Sequence, residues 1–229
     1  VAVVVVLLTG LLIVKKFLSS AADTVLLIGL SDSGKTSMFS RLVNDKRTDV
    51  VTYTSLAENV YEGLLTEKGE GLRLVDVPGG ERLRKTLVEK WVKKERPSLR
   101  QIVAVVDSAS INKRARDVAE LLYDVLLETG KKVPLVVACN KQDVGVAKEP
   151  QVISSLLEKE FTLINKSRAA SLVSTDGTNA RAATLTQGDF EWNHLPVKVH
   201  FVKCCALEDV NGEDEEEKTL VSVRTAIGI

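Results

Sequence analysis

The chain has 229 residues, of which 45% are hydrophobic and only 4% aromatic, which supports one globular domain with a Val/Leu/Ile core and an appendage. Its 31 Lys and Arg side chains balance 31 Asp and Glu side chains, so the overall charge does not favour nucleic-acid binding and no direct nucleic-acid partner is predicted. The three cysteines form no Cys-x-x-Cys pair and the two histidines are scattered, which indicates reduced thiols and no histidine-based metal site.

The N-terminal segment is the most apolar part of the chain. Residues 1–14 carry no charge, and Lys15 and Lys16 follow them. A helix needs about 20 apolar residues to cross a bilayer, and the sequence does not begin with methionine, so we interpret residues 1–18 as a transmembrane anchor truncated at its N-terminus. The lysines predict that the rest of the chain, residues 19–229, lies in the cytosol. A cleaved signal peptide and a buried first strand are the alternatives.

A phosphate-binding loop is predicted next. An apolar strand from Thr24 to Ile28 runs into the sequence Gly-Leu-Ser-Asp-Ser-Gly-Lys-Thr over residues 29–36, and an amphipathic helix follows. Backbone amides at such a turn bind phosphate oxygens, Lys35 would reach the β- and γ-phosphates, and the Thr36 hydroxyl would bind Mg²⁺. The predicted phosphate-binding residues are Gly29, Ser31, Asp32, Ser33, Gly34, Lys35, Thr36 and Ser37.

Two further strands, residues 59–66 and 72–77, are predicted to form a hairpin. Asp76 lies at the end of the second strand, where its carboxylate would hold the Mg²⁺ shell through a water molecule. Gly79 would offer its backbone amide to the γ-phosphate. A Pro-Gly pair after a strand is also an ordinary turn, so this segment has meaning only together with the phosphate-binding loop.

The sequence Asn-Lys-Gln-Asp over residues 140–143 follows a buried strand from Val133 to Cys139. A carboxylate in the plane of the base can accept hydrogen bonds from guanine N1 and N2, which adenine cannot supply. Asp143 is therefore predicted to select GTP over ATP. The aliphatic part of Lys141 would cover one face of the base, and Asn140 would link this loop to the phosphate-binding loop.

Strands and helices alternate through the rest of the chain, with amphipathic helices predicted over residues 81–95 and 111–129 and a strand over residues 101–106. This alternation predicts an α/β fold with a mostly parallel sheet and helices on both faces. Residues 165–190 contain a small-residue segment that we interpret as a flexible surface insertion. A strand over residues 197–202 and a C-terminal helix preceded by the acidic residues 213–217 complete the domain.

These motifs together resemble the beta-subunit family of the signal recognition particle receptor, which is similar to Arf and Sar GTPases. The resemblance rests on the motifs at residues 29–37, 76–79, 105–109 and 138–143, and on the apolar segment before them. It implies a P-loop small GTPase fold that binds GTP and Mg²⁺, anchored as a single-pass protein in the endoplasmic reticulum membrane. It also implies that the GTP form binds the receptor's alpha subunit, and through it the signal recognition particle and the ribosome indirectly.

The resemblance also implies a metal ligand in switch I and two residues beside the guanine base. Switch I would fall within residues 48–55, where Thr54 is the predicted Mg²⁺ ligand and Thr52 the alternative. Cys205 and Ala206 occupy the place of the Ser-Ala-Lys motif of small GTPases, whose alanine amide contacts guanine O6.

Gly80 occupies the position at which active GTPases carry a glutamine that orients the attacking water. No catalytic residue is therefore assigned, and intrinsic hydrolysis is expected to be slow. A cycling Arf/Sar-like GTPase of vesicle traffic is the alternative function.

Overall fold

The structure, a computed structural model, describes residues 22–44, 57–173, 184–186, 188–207 and 220–229. Three predicted segments lie outside these ranges: the anchor over residues 1–18, switch I with Thr52 and Thr54, and the acidic residues 213–217. Within the described ranges, no helix combines the length and the apolar character that a membrane span requires.

A six-stranded sheet forms the centre of the domain, in the order β2-β3-β1-β4-β5-β6. β2 pairs with β3 in the antiparallel sense, and all the other neighbouring strands pair in parallel. The predicted hairpin and the predicted parallel sheet are both confirmed. The strands are β1 Thr24–Ile28, β2 Asn59–Leu65, β3 Gly71–Asp76, β4 Leu99–Asp107, β5 Leu135–Asn140 and β6 Val199–Lys203.

Helices cover both faces of the sheet, as the alternating pattern predicts. The apolar side chains of β1, β4 and β5 alternate between the two faces, and each set joins a separate buried cluster. One cluster includes residues of α1 and α5, and the other includes residues of α3 and α4. The helices are α1 Lys35–Val43, α2 Arg84–Leu87, α3 Ile111–Glu128, α4 Pro150–Val173 and α5 Val221–Ile227.

The helix predicted over residues 81–95 is irregular. A 3₁₀ turn at Glu81–Leu83 precedes α2, and the chain then widens into a π-helical segment, Val88–Lys94. Trp91 is buried in this segment, and its indole Nε1 donates to Glu58 Oε2 at 2.8 Å. Lys90 also contacts Glu58, so one carboxylate just before β2 holds two consecutive residues of the segment. Sequence periodicity does not record such a tertiary contact.

The insertion expected over residues 165–190 begins later than predicted, because α4 continues to Val173. Leu185 is 2% exposed, and its amide donates to the hydroxyl of the buried Tyr123 at 3.0 Å. Phe190 is also buried and packs edge-on against Phe161 of α4. The described end of the insertion therefore packs into the core, whereas residues 174–183 lie outside the described ranges.

Candidate functional site

The candidate site lies at the carboxyl ends of the parallel strands. β1 ends at Ile28, β3 at Asp76 and β5 at Asn140, and because these strands run in the same direction the loops that follow them meet at one edge of the sheet. The sequence prediction that the three motif-bearing loops converge is confirmed by direct contacts between them.

Two glycines allow the first loop to approach its neighbours. Gly29 has φ +150°, and a Cβ there would lie 2.3 Å from the carbonyl oxygen of Val105 on β4. Gly34 has φ +89°, and a Cβ there would lie 2.2 Å from Asn140 Nδ2. Any larger residue would push the loop away from the strands beside it. Asp32, between them, also has a positive φ of 65°, a conformation that Asp tolerates better than most residues.

Lys35, the first residue of α1, is only 6% exposed, and its Nζ donates to the carbonyl oxygen of Leu30 at 2.9 Å. Burial lowers the pKa of Lys35 to about 8, and the positive charge of Arg114 adds to this, while Asp76 and Asp32 oppose it. The ammonium group is thus a poorly solvated cation inside the loop, a state that an anionic ligand would stabilise.

Thr36 and Asp76 form the second part of the site. Thr36 Oγ1 donates to Asp76 Oδ2 at 2.8 Å, and Asn59 Nδ2 donates to the same oxygen at 3.1 Å. Asp76 is fully buried, and this burial raises the pKa of its carboxyl group despite both hydrogen bonds. Its other oxygen, Oδ1, is buried and has no hydrogen-bond partner in the described structure. A hydroxyl beside a carboxylate with an unused oxygen fits Mg²⁺, which prefers oxygen ligands and retains water molecules.

The loop after β3 lies directly on the phosphate-binding loop. A Cβ on Gly79 would lie 2.6 Å from both Lys35 Nζ and the backbone nitrogen of Ser31, so only glycine fits at this position. A Cβ on the next residue, Gly80, would have no atom within 4 Å among the described residues. The two consecutive glycines therefore differ: one is required by packing and the other is not.

Asn140 joins three loops. Its Nδ2 donates to the carbonyl oxygen of Ser33 at 2.8 Å, and its Oδ1 accepts from the backbone amide of Ala206 at 2.8 Å. Asn140 is 1% exposed, so both contacts are shielded from water. The predicted link from Asn140 to the phosphate-binding loop is confirmed. The Ala206 amide, which the resemblance assigns to guanine O6, donates to Asn140 in this structure.

Lys141 adopts a positive φ of 64°, and its Nζ contacts Asp107 Oδ2 at 2.8 Å. Partial burial of Asp107 works against ionisation, but the hydrogen bonds from Lys141 and Ser110 outweigh it and lower the pKa of the carboxyl group. The Lys141 side chain, which follows the end of β5, is thereby tied to Asp107 at the end of β4.

Asp143 is solvent-exposed, and its Oδ1 accepts a hydrogen bond from Cys205 Sγ at 3.1 Å. Burial, and then the adjacent Asp143 carboxylate, raise the pKa of the Cys205 thiol to about 12. Cys205 thus remains protonated at neutral pH, and its single S–H hydrogen is shared between Asp143 Oδ1 and the carbonyl oxygen of Leu207. The carboxylate retains acceptor capacity for a guanine edge, because an ionised carboxylate has about four lone-pair sites.

Three residues in contact with the site were not predicted from the sequence. Asp107 ends β4 at the same edge of the sheet, so its position in the alternating pattern could have identified it. Asn59 lies opposite Asp76 in the hairpin register, which is visible only once the pairing is known. Arg114 Nη1 of α3 donates to the Ser31 carbonyl oxygen at 2.8 Å, and no motif in the sequence marks it.

The fold and the site together define a GTP-binding protein with the small GTPase fold. The sequence model of the family described as signal recognition particle receptor beta subunit matches residues 20–199. Human signal recognition particle receptor subunit beta is 39% identical over 216 residues, which cover 90% of this chain and 76% of that protein. The chain belongs to the signal recognition particle receptor beta-subunit family.

Solved structures agree with this assignment. The structure of the mammalian SRP receptor matches with a TM-score of 0.72 and 32% sequence identity, covering 90% of this chain and 98% of that chain. The SRb-GTP/SRX complex of the signal recognition particle receptor from Chaetomium thermophilum matches with a TM-score of 0.69 at 20% identity, over 90% of this chain and 98% of that chain. At that identity, the second match shows the shared fold alone.

Proposed function

We propose that this chain is the GTP-binding beta subunit of a signal recognition particle receptor, and that its GTP form binds the receptor's alpha subunit. The observation that carries the proposal is the pair of hydrogen bonds made by Asn140, because they join the phosphate-binding loop to the two loops that would hold guanine. Membership of the receptor beta-subunit family supports the choice of partner. The family does not favour the alternative of an Arf/Sar-like cycling GTPase.

In this proposal the backbone amides of residues 31–37 and Lys35 bind the phosphates, and Gly79 contributes its amide at the γ-phosphate. Asp143 selects guanine, and Lys141 covers the base. Thr36 and, through water, Asp76 would hold Mg²⁺, which neutralises phosphate charge when bound. Asp76 Oδ1, which has no hydrogen-bond partner among the described residues, is the atom that supports a water-mediated metal contact. Thr54 is proposed as the ligand from switch I.

The membrane part of the proposal comes from residues 1–18. The uncharged run over residues 1–14 and the two lysines that follow it support a single-pass anchor that leaves the GTP-binding domain in the cytosol at the endoplasmic reticulum. A membrane-anchored subunit of this kind would hold the alpha subunit at the membrane. The signal recognition particle and the ribosome would then be reached through the alpha subunit and not by direct contact with nucleic acid.

The partner assignment can be tested with the intact chain in detergent. The chain is loaded with GTP or GDP, mixed with the alpha subunit, and the dissociation constant of the complex is measured. We expect the GTP-loaded chain to bind at least about tenfold more tightly, the size of a typical coupling between two binding events. Equal affinities for the two loaded forms would contradict a GTP-dependent docking subunit.

We also propose that hydrolysis is slow because Gly80 has no side chain to orient water. A Cβ on Gly80 would have no described atom within 4 Å, which allows a direct test: Gly80→Gln should raise the single-turnover rate of GTP hydrolysis by at least about tenfold, since a positioned glutamine is the missing group. Gly80→Ala is the matched control, because it adds a Cβ without a water-orienting amide. A fast wild-type chain, or equal rates for all three proteins, would refute this explanation.

A further inference from the structure

Arg114 connects α3 to the phosphate-binding loop. Its Nη1 donates to the carbonyl oxygen of Ser31 at 2.8 Å, across 83 residues of sequence. Lys35 makes the corresponding contact with the preceding carbonyl oxygen, that of Leu30, at 2.9 Å. Two consecutive peptide groups of the loop therefore each hold one cation, and only the first of these cations belongs to the predicted motif.

Ser31 borders the end of the site at which a third phosphate would lie. The backbone nitrogen of Ser31 and Lys35 Nζ are each 2.6 Å from the position of a Cβ on Gly79. Gly79 is the residue whose amide is proposed to contact the γ-phosphate, so Ser31, Lys35 and Gly79 mark that end of the site. Arg114 is hydrogen-bonded to one of these three residues.

The guanidinium also borders a cavity of about 270 Å³ that extends from Ser31 to Gly79, Gly80 and Glu81. A permanent positive charge at the γ-phosphate end interacts more strongly with a triphosphate than with a diphosphate. The difference is larger in a partly buried site than in bulk water, because the effective dielectric constant is lower.

We propose that Arg114 is a positioning residue of the triphosphate site, supplied by the chain's own α3: it fixes the Ser31 peptide and favours GTP over GDP. This inference rests on the GTP-binding function proposed above. It explains how the site could distinguish the two nucleotides without switch I, because both the arginine and the Ser31 carbonyl group that it holds lie outside residues 48–55.

The test compares Arg114→Met with the matched control Arg116→Met. Arg116 is on the same helix, but its side chain is 44% exposed and pairs with Glu120 and Glu160 on the surface. Dissociation constants for fluorescently labelled GTP and GDP are measured with Mg²⁺ for the intact chain. Arg114→Met should weaken GTP binding about five- to tenfold and GDP binding less than about twofold, as expected for one partly screened charge contact.

The outcomes of this test separate a specific role of Arg114 from general support of the loop. Arg114→Lys should recover part of the GTP preference because it keeps the charge, and Arg116→Met should bind both nucleotides like the wild-type chain. If Arg114→Met weakens GTP and GDP binding equally, the residue is a general support of the loop and the proposal is overturned. The proposal is also overturned if Arg114→Met changes neither dissociation constant. A wild-type chain that binds neither nucleotide would overturn the GTP-binding function together with the role of Arg114.

Discussion

The phosphate end and the guanine end of the site are built differently. At the phosphate end, Gly29, Gly34 and Gly79 lie too close to neighbouring atoms to carry a side chain, and the functional side chains of Lys35 and Asp76 are 6% and 0% exposed. At the guanine end, Asp143 is solvent-exposed and is oriented by one thiol, that of Cys205. The comparison teaches that packing preorganises phosphate binding, whereas a small number of side-chain hydrogen bonds determines base selectivity.

The largest effect is expected at the guanine end, where one carboxylate provides the selectivity. Asp143→Asn should weaken GTP binding at least about 100-fold, because an amide presents a donor to guanine N1 and N2 where the carboxylate accepted. The same variant should bind xanthosine triphosphate, measured by competition against labelled nucleotide. Asp189→Asn, which changes an exposed aspartate paired only with Lys166 among the described residues, is the matched control. Retained guanine selectivity in Asp143→Asn would refute the assignment.

At the phosphate end, removal of the Thr36 hydroxyl should have the next largest effect. Thr36→Ala should weaken GTP binding about 30-fold in the presence of Mg²⁺, because the metal loses a protein ligand and Asp76 loses a hydrogen bond. Thr36→Ser keeps the oxygen and should bind nearly like the wild-type chain. When the titrations are repeated in EDTA, the dissociation constants of the two variants for GTP should differ less. A loss that is the same with and without Mg²⁺ would place the metal ligand elsewhere.

The burial of Lys35 predicts that GTP affinity depends on pH through the phosphate end of the site and not through the guanine end. Phosphate favours charged Lys35, so its pKa rises on binding from about 8, and GTP affinity is retained below that pH and decreases above it. Affinity should fall about fivefold between pH 8 and 9, because the protonated fraction of the free chain falls by that factor. The free energy of unfolding of the chain without nucleotide should instead rise as the pH increases above about 8. The reason is that Lys35 has a higher pKa in the unfolded chain, so the folded chain loses this proton at a lower pH. A flat affinity profile would contradict this picture.

The smallest effect is expected for the thiol that orients Asp143. Cys205→Ala should weaken GTP binding about three- to fivefold, the usual cost of one partly exposed hydrogen bond, while Cys205→Ser should preserve it. Competition between GTP and xanthosine triphosphate measures whether selectivity falls along with affinity. If Cys205→Ala and Cys205→Ser bind GTP equally well, the contact with Asp143 does not contribute.

Sequence patterns predicted the centre of the fold well because its strands are continuous and apolar. β1 matches its predicted bounds, Thr24 to Ile28, and Asn140 makes the predicted link to the phosphate-binding loop. The motif residues of the described loops converge because each follows a parallel strand. The roles of individual residues in nucleotide binding remain predictions for the experiments above.

The patterns failed where long-range contacts decide the local structure. Leu185 is one apolar residue in a segment of small and polar residues, but Tyr123 from α3 binds its backbone amide and helps to hold it in the core. In the π-helical segment, Trp91 likewise makes a long-range contact, with Glu58, which lies 33 residues away in sequence. Arg114 contacts the site from the middle of an otherwise ordinary amphipathic helix, and helical periodicity cannot distinguish it from a surface arginine.

The amide of Asn140 has a consequence for how the domain responds to its ligand. One side chain cross-links segments that are 107 and 66 residues away from it along the chain, so the loops at the two ends of the nucleotide are not mechanically independent. A guanosine phosphate that orders either end also favours order at the other. Ligand binding should therefore stabilise the whole carboxyl edge of the sheet against thermal unfolding. The backbone amides of these loops should exchange hydrogen more slowly, and they should do so as one cooperative unit.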